Sequence, residues 1–242
     1  MHKLDDHDPA LRDARLANAI DHVLSYAHVH GAIGLTESHN FNRVFVNWAV
    51  DIMDWPGFRR AELERVNKVL NQPDVPPLDV IHELLFHLKI LRRRKNQAFL
   101  TPLGRELVGR TARIFTFVTP VFLFEFDHRI GRGSELDLNQ WDLYLGILDE
   151  YGDQPIQAEK LAEVLFGTPD GLEQETVFLS MKNQLAVRSQ ILTPLSWTGL
   201  LRPSSGGRAH SPDIYTKTRL WDLLFFSGIG LILAASMLAA FF

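Results

Sequence analysis

Apolar residues recur at helical spacing along most of this chain, broken by a few apolar stretches only long enough for strands. Asp8-Pro9 opens the first helix, with Asp as N-cap and Pro at the first helical position. Leu11, Ala14, Leu16, Ile20, Val23, Leu24 and Ala27 supply its apolar side to about His28, and Gly31 and Gly34 break it. Ala32 to Leu35 reads as a short strand. Thr36 is expected to cap a second helix through Phe41, Val44, Phe45, Trp48, Ala49 and Ile52. Trp55-Pro56-Gly57 is a turn. Ala61 to Leu70 returns to helical spacing, and the three prolines between Gln72 and Pro77 predict a loop. Val80, Ile81, Leu84, Leu85, Leu88 and Leu91 then mark one side of another helix.

The order of elements around that helix occurs twice. In Val80 to Leu107 a helix runs into a polar turn at Arg92 to Gln97, a strand at Ala98 to Leu100, and a new helix at Thr101-Pro102, where Gly104 permits close approach to a neighbouring backbone. In Leu185 to Trp221 the same order returns, with strands at Leu200-Leu201 and Asp213 to Thr216 around a polar stretch from Arg202 to Pro212. The helix before it is expected to start at Thr168-Pro169 and carry Phe178, Met181, Leu185 and Leu192 as its apolar stripe, with Pro194 bending or restarting it. Ala32 to Thr36 is a weaker third echo of strand followed by Thr. Helix, strand, wing, strand is the pattern of a winged helix. The expected fold is therefore mainly α with short β-hairpins: tandem winged-helix-like modules plus an N-terminal helix and an apolar C-terminal helix. The expected divisions are a helical lead-in (1–40), module 1 (41–113), a Phe-rich connection (114–138), module 2 (139–220) and the apolar C-terminal helix (221–242).

Composition narrows the chemistry. The absence of cysteine excludes disulfides, thiolate nucleophiles and Cys-based zinc sites. The first 20 residues contain no apolar core of a secretory signal. The net charge of −4 is unevenly spread. Phe41 to Arg113 holds 13 Lys and Arg against 8 Asp and Glu, and Asn139 to Leu220 holds 7 against 10, so only the first module is basic.

That asymmetry directs attention to nucleic acid. Arg92, Arg93, Arg94 and Lys95 sit at the first wing, where they suit phosphate contacts, and Arg105 follows on the next helix. The helix before the wing offers Asp79 and Glu83, which phosphate would repel. In module 2, Lys182, Asn183 and Arg188 are expected away from the apolar stripe, side-chain types that read base edges. Double-stranded DNA is thus one expected partner. No P-loop, dinucleotide fingerprint, HExxH, GxSxG or EF-hand loop is present, so no catalytic residue, metal site or cofactor is assigned. The histidines at 22, 28, 30 and 39 read as surface groups near a helix end.

Leu223 to Phe242 holds 20 residues without a charged side chain, behind Lys217 and Arg219. As a helix it would reach about 30 Å, the thickness of a bilayer core. Two readings stand: an anchor in the inner membrane with the rest of the chain cytoplasmic, or a buried helix in a homodimer or between modules. Gly34 to Trp48, Val66 to Leu78, Phe99 to Leu107 and Ile214 to Trp221 together resemble an uncharacterised bacterial protein family with winged-helix-like repeats. The resemblance covers most of the chain up to Trp221 and rests on structural motifs, so it implies no active site. The apolar tail is not a feature of that family. The functional expectation is a tandem winged-helix protein, not an enzyme, that binds nucleic acid through its basic first wing. The alternative is a membrane-tethered or dimeric interaction module.

Overall fold

The short apolar stretches form strands, and these pair into two small antiparallel sheets of three strands each. The computed structural model describes residues 4–128, 140–168, 174–204 and 214–226. The chain divides into two units, Leu4–Thr119 and the part from Pro120 onward, with the boundary inside one helix.

In the first unit the chain runs α1 (Arg15–His30), β1 (Ile33–Gly34), α2 (Arg43–Ile52), the single turn α3 (Arg60–Leu63), α4 (Pro76–His87), β2 (Leu91–Arg94), β3 (Gln97–Leu100), α5 (Pro102–Leu107) and α6 (Thr111–Phe124). Asp8 accepts a bond from Ala10 N–H at 2.9 Å, as its cap position predicts, but it starts a 3₁₀ turn over Pro9–Asp13 before α1 begins. Gly31 closes α1 in the left-handed conformation at φ 78°. The strand order is β1-β3-β2, with Ile33 opposite Ala98 and Arg93 opposite Ala98 on the other side. β1 belongs to the same sheet as the hairpin, so pairing crosses the division expected at residue 40. Ile33, Ala98, Leu91 and Leu100 are buried in a core shared with Leu16, Ile20 and Leu24 of α1 and Ile81, Leu84 and Leu85 of α4. Each such large aliphatic side chain removed from water contributes roughly 1.5–3 kcal/mol.

Several local expectations give way to longer-range packing. Thr36 caps no helix; its Oγ1 accepts from Asn40 N–H within a turn, and Asn42 caps α2 by accepting from Phe45 N–H at 3.0 Å. Asn carries the same capping oxygen and sits next to the helix. Ala61 to Leu70 yields only α3, because Val66 and Val69 have no core to face and stand 83% and 51% exposed. Pro76 and Pro77 belong to the first turn of α4 rather than a loop, where their missing N–H groups cost no helical bond. The Phe-rich stretch is helix α6, with Ile114, Phe115, Val118, Phe122 and Leu123 buried and Pro120 tolerated within it.

The second unit repeats the topology of the first. α7 (Trp141–Glu150), β4 (Ile156–Gln157), α8 (Ala158–Phe166), α9 (Gln174–Val187), α10 (Thr193–Thr198), β5 (Leu201–Pro203), β6 (Ile214–Lys217) and α11 (Arg219–Phe226) succeed one another. The strand order β4-β6-β5 matches β1-β3-β2, and Ile156 faces Tyr215 as Ile33 faces Ala98. Between α9 and α10 the chain stays helical through a π turn over Arg188–Leu192, closed by Thr193 N–H on Arg188 O. That wider turn precedes Pro194, which has no N–H to offer a regular ladder. Asp149 of α7 accepts from Trp221 Nε1 at 3.2 Å, and its carbonyl accepts from Lys217 Nζ at 3.1 Å.

The duplication extends to one hydrogen-bonded corner. Lys89 ends α4 at φ 53° and Gly199 ends α10 at φ 85°. Thr101 Oγ1 donates to Lys89 O at 2.8 Å and accepts from Gly104 N–H; Thr218 Oγ1 donates to Gly199 O at 2.6 Å and accepts from Leu220 N–H. In each unit one threonine ties the left-handed helix end to the start of the helix after the hairpin.

Candidate nucleic-acid interface

The basic run does not form a loop. Leu91 to Arg94 are strand β2, and the connection to β3 is only Lys95 and Asn96, with Lys95 at φ 54°. In a strand alternate side chains take opposite faces. Leu91 is buried; Arg93 lies on the same face of the strand but is itself exposed, while Arg92 and Arg94 take the other face beside Phe99 and Gln97. Arg93 lies over the Phe86 ring of α4, 4.5 Å from its centroid. Phe86 contacts His82, His82 contacts Phe41, and Phe41 contacts Phe45, with centroids 4.7–4.8 Å apart. Arg93 thus terminates an aromatic stack that reaches the core.

His82 in that stack is half-buried. Burial holds its imidazole below the ordinary histidine range, a bond between Nε2 and His39 O at 3.0 Å works against the shift, and the Arg93 charge adds to it. At neutral pH the ring is an uncharged member of the apolar stack.

Arg92, Arg93, Arg94 and Lys95 are all exposed, and among the described residues no carboxylate pairs with them; Arg93 alone of the four rests on an aromatic ring. Arg105 is exposed too, but its Nη1 donates to Leu100 O at 3.0 Å and secures the end of β3. Glu106 pairs with Arg113 at 3.3 Å. Asp79, in the first turn of α4, accepts from Gln72 Nε2 at 2.6 Å, while Gln72 Oε1 accepts from Phe41 N–H. The N-terminus of α4 therefore carries an anchored carboxylate, unfavourable beside phosphate.

The second unit departs from expectation. Asn183 is 8% exposed, so it belongs to the packed side of α9 with Ala186 and Val187. Lys182 and Arg188 are half-buried. Of the expected core-facing stripe, Leu192 is buried, but Phe178, Met181 and Leu185 stand 70%, 65% and 61% exposed. α9 packs against α8, and the residues it buries are Asn183, Ala186 and Val187 rather than its longer apolar side chains. Most of the second hairpin's connection, residues 205–213, lies outside the described residues, as does the tail beyond Phe226. No helix among the described residues is long and apolar enough to cross a membrane. Among the same residues no three His, Asp or Glu side chains gather as a metal site would require.

Sequence comparison finds the same two-part organisation. The Y4jL N-terminal domain matches residues 12–113, and the y4jL C-terminal domain matches residues 131–219. Over 147 residues the chain is 36% identical to the uncharacterized protein y4jL of Sinorhizobium fredii (strain NBRC 101917 / NGR234). That match covers 60% of this chain and 66% of the relative's length. No solved structure matches.

Proposed function

As this chain belongs to the two-domain Y4jL family, we propose that it is a pair of winged-helix-like units of which the first binds double-stranded nucleic acid through the tip of its hairpin. One observation carries the reading: Arg92, Arg94 and Lys95 share an exposed edge of the β2–β3 hairpin and have no acidic partner among the described residues. A two-residue connection holds them rigidly, so little loop entropy is lost on binding beyond that of the arginine side chains themselves. The contacts would be to phosphates. α4 begins with Asp79 and the side-chain pattern of α9 turns Asn183 inward, so neither helix supports base readout in a major groove.

The test is fluorescence anisotropy of a labelled duplex of about 25 base pairs across salt. Three neutralised phosphates give a slope of log K on log salt near roughly −2.7, about a 40-fold loss between about 50 and 200 mM. Absence of binding at the low-salt end, or binding indifferent to salt, would contradict the proposal. A second reading, an interaction module without nucleic-acid binding, is favoured by the exposed apolar residues of α9.

A further inference from the structure

We propose that the exposed apolar stripe of α9 is the docking surface of this chain's own C-terminal segment, residues 227–242. Val177, Phe178, Met181 and Leu185 fall within about 100° of one another around the helix at 3.6 residues per turn. They stand 49%, 70%, 65% and 61% exposed. On the opposite side of α9 Asn183, Ala186 and Val187 are buried, while Leu179, nearer the start of the helix, is 49% exposed. A surface helix ordinarily shows the reverse, with polar residues outward. Contiguous exposed apolar side chains of this size mark a face that something covers.

The sequence supplies a cover within the same unit. Residues 227–242 read SGIGLILAASMLAAFF, without a charge, and every position other than Ser227, Gly228, Gly230 and Ser236 is apolar. They continue directly from α11, in the unit that contains α9. As a helix the segment would extend about 24 Å, against about 12 Å for the stripe from Val177 to Leu185. Charge favours a protein surface over lipid as its partner. Asn139 to Leu220 holds 10 Asp and Glu against 7 Lys and Arg, an unfavourable balance beside an anionic bilayer.

The absence of cysteine permits a direct test on the full chain. Met181→Cys, and separately Phe178→Cys, are treated with a maleimide and compared with Val66→Cys, an 83% exposed position in the other unit. A docked segment slows labelling at both positions by about tenfold or more, since reaction then waits on local opening. Adding Leu231→Glu and Leu233→Glu restores the rate, with far-UV circular dichroism confirming that α-helix content is kept. Labelling of the two α9 positions as fast as the Val66 control, without lipid, overturns the proposal. So does protection that persists with the two glutamates, which assigns the cover to a second copy. Co-sedimentation with phosphatidylcholine–phosphatidylglycerol vesicles while Met181→Cys stays reactive overturns it in favour of membrane insertion.

Discussion

Replacing Thr218 by Val probes the corner that both units share. The substitution keeps the shape of the side chain and removes its hydroxyl. Thr218 is 7% exposed; its Oγ1 donates to Gly199 O at 2.6 Å and accepts from Leu220 N–H at 3.1 Å. Loss of the cap on α11 costs about 1 kcal/mol. Gly199 O is buried and loses its hydroxyl partner, which costs roughly 1–2 kcal/mol more. The expected total is about 2–3 kcal/mol, or a urea midpoint lower by roughly 1–1.5 M. Thr101→Val removes the equivalent pair, but at a half-exposed position where water replaces the hydroxyl, so about 1 kcal/mol is expected. The assay is urea unfolding followed by tryptophan fluorescence and circular dichroism, with both probes compared because two units can unfold separately. If Thr218→Val costs no more than Thr101→Val, or if both cost less than about 0.5 kcal/mol, the corner is not a stabilising device.

Other perturbations test separate links. At Gly104 an added Cβ would lie 2.4 Å from Ile90 O, a backbone atom that cannot yield cheaply, so Gly104→Ala is expected to lower stability by about 1–3 kcal/mol in the same unfolding assay. Lys89→Gly relieves a left-handed residue at the position that Gly199 occupies in the second unit, and a net gain of up to about 1 kcal/mol is expected as a raised melting temperature. His82 is held below its ordinary value by burial, so the folded state binds its proton less readily than the unfolded state. Its contribution is therefore full above pH 6.5 and lost as pH falls from that value toward the folded pKa. Urea midpoints at about pH 7.5 and about pH 5.5 should differ more in the wild type than in His82→Phe.

The parts of the fold legible in the sequence are those fixed by local chemistry. The Thr101-Pro102 start and the close approach at Gly104 each arise from a single residue's conformational limits and stand where expected, and Asp8 caps as expected although the turn it opens is 3₁₀ and ends before α1. The α4 stripe through Ile81, Leu84 and Leu85 comes from periodicity alone. The features that escaped depend on partners distant in sequence. Ile156 belongs to a strand of only two residues, too short for a periodic signal, and it is a strand because β6 lies beside it, whereas the equally short strand at Ile33 falls inside the stretch Ala32 to Leu35 expected from the sequence. The face of α9 was not legible because its apolar residues do not all lie on the side that packs against α8, where Asn183, Ala186 and Val187 are buried. At the candidate interface the basic run was visible, but its division was not. Arginine alternation gains meaning only once Leu91 is known to be a strand residue rather than the end of a helix, which separates Arg93 from Arg92 and Arg94.

That separation of the arginines underlies the proposed interface, and the salt dependence of duplex binding tests it. Anisotropy titrations are compared for the wild type, the double variant Arg92→Ala/Arg94→Ala and the single variant Arg93→Ala. The double variant is expected to reduce the magnitude of the slope of log K on log salt by about 1.8, one phosphate for each arginine, while Arg93→Ala leaves it unchanged. Equal loss from Arg93→Ala per residue removed, or no loss from the double variant, would contradict the assignment of Arg92 and Arg94 to phosphate.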